Sequence, residues 1–197
     1  PDDVFINKGD GTWDTTSSPY FLSATQDVIS GDINNDGWLD VFAAGLKMTN
    51  GPPGAKYTSL LYKNITSDST FSSYNWIKIN LEGAKSSITN DGWSEQSNKS
   101  AIGARVIITL PSGSIQTREI IAGKGHGSMD ALELHYGLGA ASQIENIIVR
   151  WPSKEGQLNQ QKVITYDGPF DANQTYRIIE DLGFVGLKGN LAPDGAI

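Results

Sequence analysis

The sequence predicts an all-β chain, built as a sandwich, a barrel or a propeller fragment. Three observations predict it. Short runs rich in Ile, Val, Thr and aromatic residues recur between Gly, Pro, Asn and Asp turns. One run, Trp76-Ile77-Lys78-Ile79-Asn80-Leu81, alternates strictly, with Trp76, Lys78 and Asn80 on one face and Ile77, Ile79 and Leu81 on the other. No segment holds a 3.6-residue apolar period with caps.

In order, strands are expected at 4–7, 26–30, 41–44, 59–63 and 76–81, then at 104–110, 115–122, 132–136, 144–150, 162–166 and 175–180. Two regions differ in character. Residues 1–73 hold the Asp-Gly loops, whereas 74–181 hold longer and more apolar strands. The polar run Thr66-Ser67-Asp68-Ser69-Thr70 connects them. Residues 84–100 read as a long surface loop. The Gly-rich stretch 182–197 lacks alternation and is expected to be a tail or linker.

Composition excludes several classes. Hydrophobic residues make up 38% and charged residues 19%, so a disordered acidic tail is excluded. Apolar runs such as Ile147-Ile148-Val149 are too short to span a bilayer as helices. A formal net charge of -7 argues against nucleic acid as a partner, because phosphate contacts need a basic face. The same charge suits acidic loops neutralised by a divalent cation. With no cysteine, a zinc-thiolate site, a thiol nucleophile and a disulfide framework are all excluded. Pro1-Asp2-Asp3 is not a basic segment leading into an apolar one, and no initiator methionine is present. A processed product or an excised fragment is therefore expected.

The strongest local signal is Asp32-Ile33-Asn34-Asn35-Asp36-Gly37-Trp38-Leu39-Asp40. Oxygen-bearing side chains stand at its first, third, fifth and ninth positions, with glycine at the sixth for a tight turn. Asp32, Asn34 and Asp36 would converge on an ion, Trp38 would offer its carbonyl, and Asp40 would close the site. Three carboxylates and an amide suit Ca2+ better than Mg2+, which resists dehydration and demands octahedral geometry. The flanks read as strands, and the twelfth position is Ala43, so the loop is not an EF-hand. The bland alternative is a plain Asn-Asp-Gly hairpin turn, which the four-ligand spacing outweighs. Asn7-Lys8-Gly9-Asp10-Gly11-Thr12-Trp13 lacks that spacing and reads as a hairpin with flanking strands, and Asn90-Asp91-Gly92 reads as a turn.

Val4-Phe5-Ile6-Asn7-Lys8-Gly9-Asp10-Gly11-Thr12-Trp13, followed by Val28-Ile29-Ser30-Gly31 and the nonapeptide, resembles an FG-GAP (VCBS-type) repeat. Leu60-Leu61-Tyr62-Lys63-Asn64 resembles the start of the next strand pair. The second region resembles the ASPIC/UnbV domain of cartilage-acidic-protein-like chains. The matching stretches are Asn75-Trp76-Ile77-Lys78-Ile79-Asn80-Leu81-Glu82-Gly83, Asn98-Lys99-Ser100-Ala101-Ile102-Gly103-Ala104-Arg105-Val106, His135-Tyr136-Gly137-Leu138-Gly139 and Val149-Arg150-Trp151-Pro152-Ser153. The resemblance implies a partial β-propeller of about one and a half blades, with calcium in its inter-strand loop, followed by an antiparallel β-sandwich. A solitary repeat leaves strand edges uncovered, so further repeats of a larger parent protein or a neighbouring subunit are expected to complete it.

Candidate chemistry elsewhere is thin. Gly125-His126-Gly127-Ser128-Met129-Asp130 brings His, Ser and Asp together, but adjacency seldom makes a triad and no Gly-x-Ser-x-Gly elbow is present. A glycine-rich loop is the better reading. His135 lacks a second ligand at metal spacing and reads as a hydrogen-bonded structural residue. Asp27 and its acidic neighbours as a glycosidase pair conflict with chelation. Trp93, in a wholly polar loop, is the best aromatic for stacking on a sugar, although aromatics more often fill cores. Sequons stand at Asn64, Asn98 and Asn173.

The expected function is a non-catalytic, calcium-binding adhesion or protein-interaction module, extracellular, at the cell surface or in the periplasm, with a protein or glycan partner. The alternatives are a carbohydrate-binding module and a structural subunit of a surface filament or layer.

Overall fold

The computed structural model describes residues 3–8, 10–17, 25–45, 59–65, 73–84, 96–154 and 161–187. Those residues form thirteen strands and no helix, so the all-β expectation holds. They build no closed barrel and no propeller. The expected connector at 66–70 and most of the expected loop at 84–100 lie outside the described residues. The chain divides into two compact units. The first takes Pro1–Asn34, Leu39–Ile65 and Gly123–Asp130, and the second takes Asn35–Trp38, Thr66–Ala122 and Ala131–Ile197.

The first unit has two small sheets. β1 (Asp3–Asn7) pairs with β2 (Trp13–Ser17) in an antiparallel hairpin. β3 (Thr25–Gly31), β4 (Asp40–Gly45) and β5 (Leu60–Tyr62) form a three-stranded antiparallel sheet. Asp27 lies opposite Ala44 and Ile29 opposite Phe42, so these four side chains share one face. Ala43, on the other face, is fully buried.

The second unit is sandwich-like, with two four-stranded sheets. One runs β11 (Gln161–Asp171), β10 (Gln143–Lys154), β7 (Arg105–Thr109), β8 (Ile115–Glu119). The other runs β13 (Gly183–Leu187), β12 (Gln174–Ile179), β6 (Asn75–Glu82), β9 (Leu134–Gly139). All pairs are antiparallel except β12 with β6, which is parallel. Strands far apart in sequence can pair in parallel because the chain between them supplies the crossover. β13 corrects the expectation of a tail from residue 182 onward. The segment lacks alternation of its own and takes strand form by pairing along β12.

The core sits between these sheets. Ile77 and Ile79 of β6, Val106 and Ile108 of β7, Tyr136 of β9, Ile147, Val149 and Trp151 of β10 and Ile178 of β12 are all fully buried. The Tyr136 hydroxyl crosses the sandwich to donate to the Val106 carbonyl at 3.0 Å. Burial pushes the Tyr136 phenol far above its ordinary value. The alternation of β6 delivers Ile77, Ile79 and Leu81 to this core as expected. The opposite face is not open to water, since Lys78 is only 2% exposed. Its ammonium lies 5.1 Å from the Trp76 ring centre and 3.5 Å from Glu133 Oε1. An aromatic face and a carboxylate are what a buried ammonium needs.

Glu180 is a second buried charge, with no exposed surface. Its carboxylate accepts from the Ser97 amide at 2.6 Å, the Ser97 hydroxyl at 3.0 Å, the Ser153 hydroxyl at 2.5 Å and the Ala84 amide at 3.1 Å. Lys162 Nζ lies 3.7 Å away. One side chain thus gathers Ala84, Ser97 and Ser153, which stand far apart in sequence, and fixes them at the same end of the sandwich.

Candidate functional site

The nonapeptide links β3 to β4, and Gly31 pairs with Asp40 where the two strands meet it. Its backbone turns sharply. Asn35 has φ 57° and Gly37 has φ 90°, both left-handed, and these are the residue types that tolerate that region. Asp40 is 2% exposed. Its Oδ2 accepts the Ile33 amide at 3.0 Å and its Oδ1 accepts the Asn64 amide at 2.8 Å. Asp40 thus ties the loop to the chain just after β5. Asp36 Oδ1 accepts the Trp38 amide at 2.9 Å, a two-residue Asx turn. Asp32, Asp36 and Trp38 are half-buried, while Asn34 is exposed.

The donor chemistry fits a hard cation. All four side chains present oxygen, and a carboxylate oxygen holding one amide keeps a second lone pair. Among the described residues, no cluster of three or more His, Asp or Glu side chains is drawn together around one point. The amide of Asn34 and the carbonyl of Trp38 would therefore have to contribute beside the carboxylates.

Within the second unit, Gly37 has two reasons to be glycine. A Cβ there would fall 1.7 Å from Trp76 Nε1, besides the cost of φ 90°. His135 Nε2 lies 2.7 Å from the Gly37 carbonyl oxygen, and its ring stacks on Trp76 with centroids 6.2 Å apart. His135 is hydrogen-bonded, as expected from sequence.

The segment 123–130 packs in the first unit. The Lys124 amide donates to the Ser128 carbonyl at 2.8 Å, and the Ser128 hydroxyl donates to the Lys124 carbonyl. Asp130 pairs with Lys124 Nζ at 2.6 Å and accepts the Ser30 amide at 3.2 Å. Burial works to raise the Asp130 carboxyl, but the Lys124 and Ser30 hydrogen bonds outweigh it and hold it below its ordinary value. These bonds commit Ser128 and Asp130 to shaping a loop.

The segment also covers Asp27. Gly125, at φ 76°, lies so close that a Cβ would be 2.4 Å from Asp27 Oδ1. A cavity of about 430 Å³ opens here, lined by Asp27, Ile29, Phe42 and Ala44 of the sheet and by residues 126–129. Sequence reasoning weighed Asp27 only as half of a carboxylate pair. The available signal was an acid inside a strand, on the face that carries Ile29. Trp93 lies outside the described residues.

No helix among the described residues is long and apolar enough to cross a membrane. No match to the chain was found among curated proteins. Residues 94–182, which carry much of the second unit's sandwich, match the family model described as ASPIC and UnbV.

Proposed function

We propose that this chain is a calcium-binding, non-catalytic interaction module of the cell exterior, in which an FG-GAP-type repeat precedes the ASPIC/UnbV sandwich. One observation carries the proposal: the loop between β3 and β4 sets oxygen donors at alternate positions around left-handed Asn35 and Gly37. Asp32, Asn34, Asp36, Asp40 and the Trp38 carbonyl would hold the ion. Calcium would supply positive charge to offset the carboxylates of Asp32, Asp36 and Asp40. Binding to the folded chain alone adds about 2.7 kcal/mol of stability at a hundredfold excess over the dissociation constant.

The interaction half of the proposal rests on exposed apolar side chains in the first unit. Phe5 is 63% exposed and Trp13 59%, and their register puts them on one face of the β1–β2 hairpin. Exposed aromatics of this kind are anchors for a protein partner, a neighbouring subunit or further repeats of the same architecture. Calorimetric titration tests the metal site. Calcium should bind with one-to-one stoichiometry, magnesium far more weakly, and Asp36→Ala should abolish the heat. Equal heats from the Asp36→Ala protein would remove the loop from the account.

A further inference from the structure

The cavity under the 123–130 segment contains an unexplained charge. Asp27 Oδ1 accepts the Val28 amide at 3.0 Å. Its other oxygen, Oδ2, is buried and has no hydrogen-bond partner among the described residues. A buried carboxylate oxygen left unpaired is costly, and such groups mark a missing donor. The carboxylate cannot easily turn away, because the Gly125 backbone is packed against it.

The surroundings decide what that donor is. Ile29, Phe42 and Ala44 form the sheet side of the cavity, and His126, Gly127, Ser128 and Met129 line it from the segment. Among the described residues no set of three His, Asp or Glu side chains gathers here, so a bare metal ion would find too few ligands. An organic ammonium meets both demands, because its N–H groups serve the carboxylate while its carbon body fills the apolar walls. Phe42 and Met129 suit an aromatic body in particular. The volume, about 430 Å³, lies within the range of small-molecule sites. We propose that this cavity binds a small organic cation, a primary ammonium with an apolar or aromatic body, through Asp27 Oδ2. The site shares no side chain with the 32–40 loop.

The test uses 2-phenylethylammonium and its neutral counterpart 2-phenylethanol, titrated into the isotopically labelled full chain and followed by amide NMR. The ammonium should give saturable shifts confined to residues 27–30, 42–44 and 123–130. The alcohol should bind at least about tenfold more weakly, since it brings no positive charge to pair with the carboxylate. Asp27→Asn, similar in size, should bring the ammonium down to the affinity of the alcohol. Equal binding of the two probes by the unmodified chain overturns the proposal, whatever the variant does. So do an absence of saturable shifts at about 10 mM probe, or an Asp27→Asn chain that binds the ammonium undiminished.

Discussion

At the residue scale, Gly37 and Glu180 are the positions where the structure tolerates least. Gly37 combines φ 90° with the Trp76 indole where a Cβ would go. Gly37→Ala should therefore cost about 3 kcal/mol in chemical denaturation. A loss near zero would mean that the loop tip is not packed as described. Glu180 collects four hydrogen-bond donors while wholly buried. Glu180→Gln turns an amide NH2 toward some of those donors and should cost about 3 kcal/mol, whereas urea curves that superimpose would contradict the buried clamp. The glycine requirement was legible at Gly37, because a sixth-position glycine in such a loop implies a turn. The indole above it was not, since Trp76 stands far along the chain. Nor was the role of Glu180, whose partners Ser97 and Ser153 come from separate parts of the chain.

At the element scale, alternation carried most of the information. In β6 it assigned Ile77, Ile79 and Leu81 to the core because period-two patterning is local to one strand. The hairpin at 7–13 was legible from its Asp-Gly turn, but the bounds of β2 were not, because Trp13-Asp14-Thr15-Thr16-Ser17 has little apolar patterning and depends on its partner β1. β13 was missed for a similar reason, as Gly183-Phe184-Val185-Gly186-Leu187 gains its strand character by pairing with β12. The β10–β11 ladder holds a register shift, where Gly168 and Pro169 stand against Glu145 alone. A Cβ on Gly168 would lie 2.5 Å from the Glu145 carbonyl oxygen. Gly168→Ala should thus destabilise the sandwich by about 1–3 kcal/mol, seen as a lower melting temperature. An unchanged transition would show that the bulge can open freely.

Glu82 belongs to the same scale, because it joins β6 to Arg177 of β12 and to Lys99. The Lys99 hydrogen bond first, and then that of Arg177, hold its carboxyl below its ordinary 4.5. A lowered folded value means that the stabilisation is present above that ordinary value and is lost as pH falls through the folded one. Between neutral pH and about pH 3, the parent chain should lose more stability than Glu82→Gln. Parallel stability curves for the two proteins would deny the coupling.

At the scale of the whole molecule, sequence character changes near residue 73, whereas the two compact units are each assembled from separate stretches of the chain. What sequence could not show is that Gly123–Asp130, embedded in the stretch that resembles ASPIC/UnbV, packs with the first unit. The Ser30–Asp130 hydrogen bond spans a hundred positions, a separation over which no periodicity speaks. The alternate oxygen spacing of residues 32–40 is local to a short loop, so sequence alone displays it. A partner for exposed Phe5 and Trp13 leaves no such local trace. The central claim is that the loop from Asp32 to Asp40 holds calcium and that the fold depends on it. The most direct measurement is thermal unfolding of the metal-stripped chain with and without calcium, paired with native mass spectrometry. One calcium should bind per chain, and the melting temperature should rise with calcium and return on chelation. An unchanged melting temperature, with no bound ion in the mass spectrum, would contradict it.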